Sequence, residues 1–457
     1  MNVSSYLKSN LRWLIDLLQI NKTVVYGVLT NVWRILAGVV TMVLIVNYFS
    51  PTLQGFYFTF NSITALQVLV EGGLGTVIIS FASHEWSKLH LDSVGQIAGD
   101  LKALSRLVSL ARIVFLWFFI GGVIIIIGLS IVGYLFFSQS KDAFGIIWSA
   151  PWFLLCVLTG INMWFTPTFS LLEGCNQLKQ IYAFRLYSSI ITSLFSWSAI
   201  LLNVGLWVAV IILAISIICQ LIFLISRYRS FFGPMISYVI TDRINWRKDL
   251  WPMQWRIALS FISGYFMFSF FTPLLFHYHG AVVAGQMGLT LGLFNSIGNI
   301  ANMWVVAKRP TMGILIANKD YKSLDRLFAR TATISIGLFI FGSLFLWVLV
   351  YTIYNFDLSI AARVLPPLPS GLFLIGMAST YFTSPFSYYL RAHNREPYLL
   401  LSIFSAILQG LLAWQLGKTY GATGVASGFL VVGLFFSLPY ALIVWHKFRT
   451  KWQIENL

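Results

Sequence analysis

Arg34 and Glu71 are ionisable residues set deep in long apolar runs, where a charge is costly and marks a functional candidate. Arg34 lies about ten residues into its run, about 15 Å along a helix and too deep to snorkel easily to either surface. Its guanidinium is hard to neutralise, and its planar fork suits a phosphate. Asn31, Gly38 and Thr41 share its helix face, which makes that face polar with room for a bulky neighbour. Glu71 is the one carboxylate expected well inside a run, with Thr64, Gln67 and Gly75 on its side. Two readings stay open: an Arg34–Glu71 ion pair that holds helices together, or a phosphate anchor at Arg34 with Glu71 as its counter-ion or as a protonation site.

A second set is made of amides. Asn295, Asn299 and Asn302 fall on one helical stripe with Gly288 and Gly292, a surface fit either for sugar hydroxyls or for helix packing through small residues. Arg256, Arg112 and Arg185 stand near the ends of other runs, where they extend a basic path inward or snorkel. His277 and His279 are expected in an exposed turn. Cys156, Cys175 and Cys219 are too far apart for a metal-ligand spacing or a disulfide framework.

The elements that position these residues follow from composition. Hydrophobic residues make up 58% of the 457, charged ones only 10%, and mean hydropathy is +0.81. No water-exposed surface is built from such a chain. Its apolar runs are of helix-spanning length rather than the short alternating strands of a barrel. The expectation is an all-α polytopic membrane protein of twelve helices. Spans are expected near 24–46, 56–83, 107–137, 146–172, 182–202 and 206–225, then near 253–276, 281–306, 331–354, 368–390, 398–416 and 423–445.

Alternate loops and both termini carry 26 of the 30 Lys and Arg residues; the opposite side holds only Lys141, Arg363 and Lys418. The positive-inside rule then makes both termini cytoplasmic, in a bacterial inner membrane. The net charge of +16 is explained by anionic headgroups, with no nucleic acid needed. Leu7, Leu11, Leu14 and Leu18 recur opposite Lys8, Arg12 and Asp16, the pattern of an interfacial helix. Two motifs repeat. Lys102-Ala-Leu-Ser-Arg-Leu107 returns 220 residues later as Lys322-Ser-Leu-Asp-Arg-Leu327, and Pro167-Thr-Phe-Ser170 with Asn176 returns as Pro385-Phe-Ser387 with Asn394. The division expected is an arm over 1–23, a lobe over 24–225, a basic linker over 226–252, a second lobe over 253–445 and a tail over 446–457. Six helices per lobe place a pseudo-two-fold axis along the membrane normal, with a cavity between the lobes.

The run Gln54-Gly-Phe-Tyr-Phe-Thr-Phe60, continued by Leu66-Gln-Val-Leu-Val-Glu-Gly-Gly-Leu-Gly75, resembles the second-helix region of O-antigen-type polysaccharide flippases. So does Ala284-Gly-Gln-Met-Gly288, leading to Trp304, Lys308 and Pro310. These flippases belong to the multidrug/oligosaccharidyl-lipid/polysaccharide exporter superfamily, and the similarity extends over nearly the whole chain. The resemblance implies a non-enzymatic flippase moving a polyprenyl-diphosphate-linked oligosaccharide between leaflets by alternating access. It further implies a proton or sodium gradient in place of a cofactor, and polysaccharide polymerase machinery as a partner. A drug and organic-cation exporter of the same superfamily is the competing reading, but such a site wants acidic residues. A membrane glycosyltransferase or polymerase would want a large outer loop or a carboxylate cluster. A channel is more often a symmetric ring.

Overall fold

The computed structural model describes residues 22–392 and 397–455. The interfacial helix expected around Leu7 to Leu18, and Asn394 of the second repeat, lie outside them. Helix α1 runs Lys22–Tyr48, and Ser50 caps α2, Pro51–Thr64, by accepting from the Leu53 amide at 3.1 Å. The same pass continues through α3, Gln67–Glu71, and α4, Leu74–Trp86, with a 44° bend between α3 and α4. A hairpin absent from the sequence reading follows: β1, Leu89–Leu91, antiparallel to β2, Ile97–Gly99, with Leu89 opposite Gly99. Then come α5, Leu101–Ser138; α6, Ser149–Gly174; α7, Leu178–Leu201; and α8, Trp207–Ser237. The remainder is α9, Trp251–Phe268; α10, Phe271–Ala317; α11, Tyr321–Asn355; α12, Pro367–Ala392; α13, Leu399–Val431; and α14, Leu438–Glu455.

Seven described helices are long and apolar enough to cross a membrane, and the bent α2 to α4 pass makes eight. Two of those seven are double passes. Gly280, at φ 85° and ψ 175°, reverses the chain inside α10, and Gly421, at φ 60° and ψ −139°, does so inside α13. Both conformations are ones in which a side chain is strained. The more polar α7 and α12 complete twelve passes. The two reversals meet on the side opposite the basic loops: His279 Nε2 lies 2.7 Å from the Gly417 carbonyl, and Trp414 Nε1 donates to the Tyr278 hydroxyl at 3.2 Å. His277 and His279 are both exposed, and His279 also joins the two turns.

The two halves carry matching elements. Asp100 caps α5 by accepting from Ala103 N–H at 2.9 Å, and Asp320 caps α11 by accepting from Ser323 N–H at 3.1 Å. Both α6 and α12 are 26 residues long with an internal proline, Pro167 and Pro385. The buried core divides likewise. One cluster gathers Phe60, Phe137 and Trp152, a second Phe271, Phe373 and Phe429, and a third, smaller one, Phe328, Phe386 and Tyr389.

Within 226–252, where a basic linker is expected, α8 stays helical to Ser237, and Trp246–Leu250 is a π turn leading into α9. The short connection between them is clasped to α5. Ser105 Oγ accepts from the amides of Thr241 and Asp242, each at 2.9 Å, and Ser109 Oγ from that of Ile244 at 3.1 Å. Arg112 does not snorkel; it donates to the carbonyls of Met235 and Tyr238 at 3.0 and 2.6 Å, at the negative end of α8.

The halves meet mainly along α2 and α10. A Cβ on Gly55 would stand 1.9 Å from the Ala281 carbonyl oxygen, and one on Gly288 would stand 2.4 Å from Phe58. Gln54 Nε2 donates across the seam to the carbonyls of Gly285 at 2.9 Å and Arg363 at 3.0 Å. Asp142 accepts from Ala281 N–H at 2.7 Å, where the second part of α10 begins.

Gly55→Ala is expected to cost about 1–3 kcal/mol through overpacking, whereas Gly337→Ala, with nothing within 4 Å, should be neutral or stabilising. Thermal unfolding of the detergent-solubilised protein, read by size-exclusion profile, compares them. Hydrogen bonds from the Ala103 and Ser323 amides hold the Asp100 and Asp320 carboxyls below the usual carboxylate range. Their capping contribution is present above the ordinary carboxylate pKa and is lost as pH falls through the lowered value. Asp100→Asn and Asp320→Asn should flatten the acid limb of the unfolding-temperature profile.

Candidate functional site: a hydroxyl-lined cavity with two arginines

Arg34 opens onto a cavity of about 540 Å³ between α1, α6, α7 and α8. Helical spacing supplies its lining. Gly38 and Thr41 come from the Arg34 face of α1, and Asn162, Thr166, Ser170 and Glu173 from α6. Arg185, Ser188, Ser189, Thr192 and Ser193 form a stripe along α7, and Ser216 and Gln220 come from α8. Several hydroxyls turn their protons back onto their own helices. Thr41 donates to the Ala37 carbonyl at 2.8 Å, Thr192 to that of Ser188 at 2.8 Å, and Ser193 to that of Ser189 at 2.7 Å. The oxygens of Thr192 and Ser193 keep lone pairs free to accept from a hydroxylated guest.

Charge is distributed unevenly. Arg185 pairs with Glu173 and stacks over the Tyr182 ring at 5.5 Å. Arg34 has neither a hydrogen bond nor an ion pair among the described residues. The cavity thus holds two guanidiniums against one carboxylate, one guanidinium uncommitted. Phe169, Phe184 and Phe223 stack at 5.3 and 4.5 Å along one flank, and Trp197 Nε1 donates to Thr41 Oγ1 at 2.9 Å.

Asn162 also lines a second cavity of about 340 Å³, with Tyr57, Asn61, Thr64, Gln67 and Thr159. Its Oδ1 accepts from Gln220 Nε2 at 2.9 Å. Asn162 thus stands between the cavity that holds Arg34 and the one lined by Gln67. Asn31, one turn from Arg34, is exposed and outside the lining.

The other expected residues lie elsewhere. Of the readings open for Arg34 and Glu71, the ion pair is not formed. Glu71 ends α3 at the bend of the second pass, while Arg34 faces α6 and α7. The asparagine stripe serves packing at two of its three members: Asn295 Oδ1 accepts from the Tyr381 hydroxyl at 3.4 Å and Asn302 Oδ1 from the Ser384 hydroxyl at 2.9 Å, tying α10 to α12. Asn299 is exposed. Arg256 is exposed beside the Trp255 ring, 5.4 Å from its centroid, and is outside both polar cavities.

Glu173 is missed because its span is expected to end at Leu172; Arg185, expected to extend a basic path inward or to snorkel, lines the cavity beside it. The signal that finds both is the polar stripe Arg185, Ser188, Ser189, Thr192, Ser193, with helical spacing. Among the described residues, no three His, Cys, Asp or Glu side chains group as metal ligands.

Neither a protein-family model nor a curated sequence matches the chain. Solved structures do match in fold. A multidrug resistance MATE-family transporter of the MOP superfamily, in an inward-facing conformation, superposes with a TM-score of 0.59 at 14% identity, over 93% of this chain and 95% of that one. The lipid II flippase MurJ, inward closed, gives 0.58 at 15% identity over 92% and 87%. An outward-facing MATE-family transporter gives 0.50 at 13% identity over 95% of each chain. The chain has the all-α polytopic fold of the MOP-superfamily transporters.

Proposed function

We propose that the protein is a flippase for a polyprenyl-diphosphate-linked oligosaccharide, with Arg34 as the diphosphate anchor. The observation that carries this reading is the uncommitted Arg34 guanidinium in a hydroxyl-rich cavity that also holds Arg185. A diphosphate in an apolar barrier requires cations, and sugars require many modest hydrogen-bonding groups. The cavity offers both. MurJ, one of the proteins with this fold, is a lipid II flippase. Two arginines against a single glutamate argue against an organic-cation exporter, which would have to desolvate its cargo beside like charge.

Alternating access gives the close α2 to α10 seam a role as the gate opposite the basic loops. Below it, α1 and α10 approach where a Cβ on Gly292 would stand 2.6 Å from Met42 Cε. The better superposition on the inward-facing than on the outward-facing relative supports an inward-facing state. The positive-inside pattern supports cytoplasmic termini in a bacterial inner membrane, with an ion gradient as driving force and polymerase machinery receiving the product.

In proteoliposomes loaded with a labelled polyprenyl-diphosphate oligosaccharide, Arg34→Ala should lower transfer at least about tenfold, the equivalent of one 1.4 kcal/mol interaction, with insertion unchanged. Arg34→Lys should recover part of it if point charge suffices. Normal transfer by stable Arg34→Ala rejects the anchor. The Arg185 and Glu173 pair should show a coupling of roughly 0.5–3 kcal/mol in a double-mutant cycle of thermal stability; additivity would mean the two side chains act separately.

A further inference from the structure

Glu173 sits in the last turn of α6, where a carboxylate meets the negative end of the helix dipole and is destabilised unless something holds it. Arg185 holds it, through a single hydrogen bond between Nη2 and Oε1. Arg449 and Asp325, by comparison, join through two such bonds, Nε to Oδ1 and Nη2 to Oδ2. The Arg185 fork is thus only partly used, and the two-pronged geometry that makes arginine–carboxylate pairs strong is absent from this one. Neither side chain is sealed off: Arg185 is 35% exposed and Glu173 14%, and both line the cavity that holds Arg34.

Arg185 also stands close to Arg34 in height. A Cβ on Gly27 would lie 3.8 Å from Tyr182 Cδ1, and Thr41 Oγ1 accepts from Trp197 Nε1, so α1 and α7 run side by side in the same direction. Arg34 is midway between Gly27 and Thr41, which sets it level with Ser189, one helical turn beyond Arg185. The two arginines are therefore attached to the cavity wall about 6 Å apart along the axis, within reach of the two phosphates of one diphosphate.

We propose that Arg185 is the second phosphate ligand of this cavity and Glu173 its intramolecular competitor, a positioning residue that yields Arg185 to the diphosphate on entry and reclaims it on release. The inference rests on the reading of Arg34 as diphosphate anchor and deepens it. A diphosphate esterified at both ends carries two negative charges, and matching them takes both arginines. With Glu173 still on Arg185 only one guanidinium is free, so full binding requires the carboxylate to turn away. Its return weakens the loaded state. A dianion held by two uncontested guanidiniums in a low-dielectric setting would leave slowly, and the competing carboxylate keeps the site from becoming a trap.

Isothermal titration of the purified full chain in lipid nanodiscs with glucosyl citronellyl diphosphate, a short diphosphate diester, tests it. Glu173→Gln is expected to bind about tenfold tighter than wild type and Arg185→Ala about tenfold weaker. In an Arg185→Ala background, Glu173→Gln should add nothing. The Glu173→Gln protein should also transfer labelled cargo more slowly in proteoliposomes, since release then limits turnover. A pair that only ties α6 to α7 would lower the unfolding temperature on loss of either partner without tightening binding, and that result overturns the inference. If Glu173→Gln is not monodisperse, Glu173→Asp, whose shorter side chain holds Arg185 less closely, should give part of the tightening; affinity equal to or below that of wild type overturns it. Binding lost in Arg34→Ala but unaltered in Arg185→Ala overturns this inference alone, whereas no binding by wild type removes the flippase reading with it.

Discussion

A backbone crossing lipid has no solvent for an unpaired N–H or C=O, and the whole arrangement depends on how that constraint is met. Most of the chain meets it with continuous helices. At Gly280 and Gly421 it meets it by reversing at the ends of passes, where the two turns bind each other through His279 and the Gly417 carbonyl. The hydroxyls of Thr41, Thr192 and Ser193 follow the same rule where they line the cavity, donating to carbonyls of their own helix. The pass that breaks at Gly72–Gly73 has a helix from the other half packed into its bend, with Ile257 Cγ2 2.3 Å from where a Cβ on Gly73 would stand.

The halves match in helix order and caps, yet differ in what they enclose. Between α1, α6, α7 and α8 lies the charged, hydroxyl-lined cavity. In the second half, by contrast, two grooves among the described residues are apolar: about 590 Å³ between α11 and α12, lined by Phe339, Leu344 and Trp347, and about 450 Å³ between α9 and α13, lined by Phe266, Ile407 and Trp414. Polar side chains that could open a cavity there are spent on helix contacts, as Asn302 is on Ser384. The asymmetry follows from side chains and not from topology.

Much of the all-α polytopic fold was legible because long apolar runs are properties of sequence segments taken singly. Arg34 was legible for the same reason, its cost depending on depth and not on neighbours. Pairings were not. Glu173 and Arg185 sit where α6 ends and α7 begins, and only their joint presentation to one cavity distinguishes them from ordinary interfacial charges. The Arg34 and Glu71 ion pair was suggested by equal depth, but depth fixes height along a helix and says nothing of azimuth. The β1–β2 hairpin, three residues a side, is too short to rise above a polar loop in pattern. The end of α8 was misplaced because Arg227 and Arg229 look like a terminus, whereas Arg112 and the α5 serines hold the connection that follows it.

The polarity that makes α7 a cavity wall also governs how the chain is made. Neither α7 nor α12 reaches the apolarity of an independent span, so neither partitions from the translocon into lipid unaided. Each lies late in its half, after α1 in one case and after α10 and α11 in the other, helices that pack against it in the finished fold. Synthesis therefore lays down an apolar berth before the polar helix emerges, and insertion of each half proceeds as a group of helices whose membership the order of the sequence enforces.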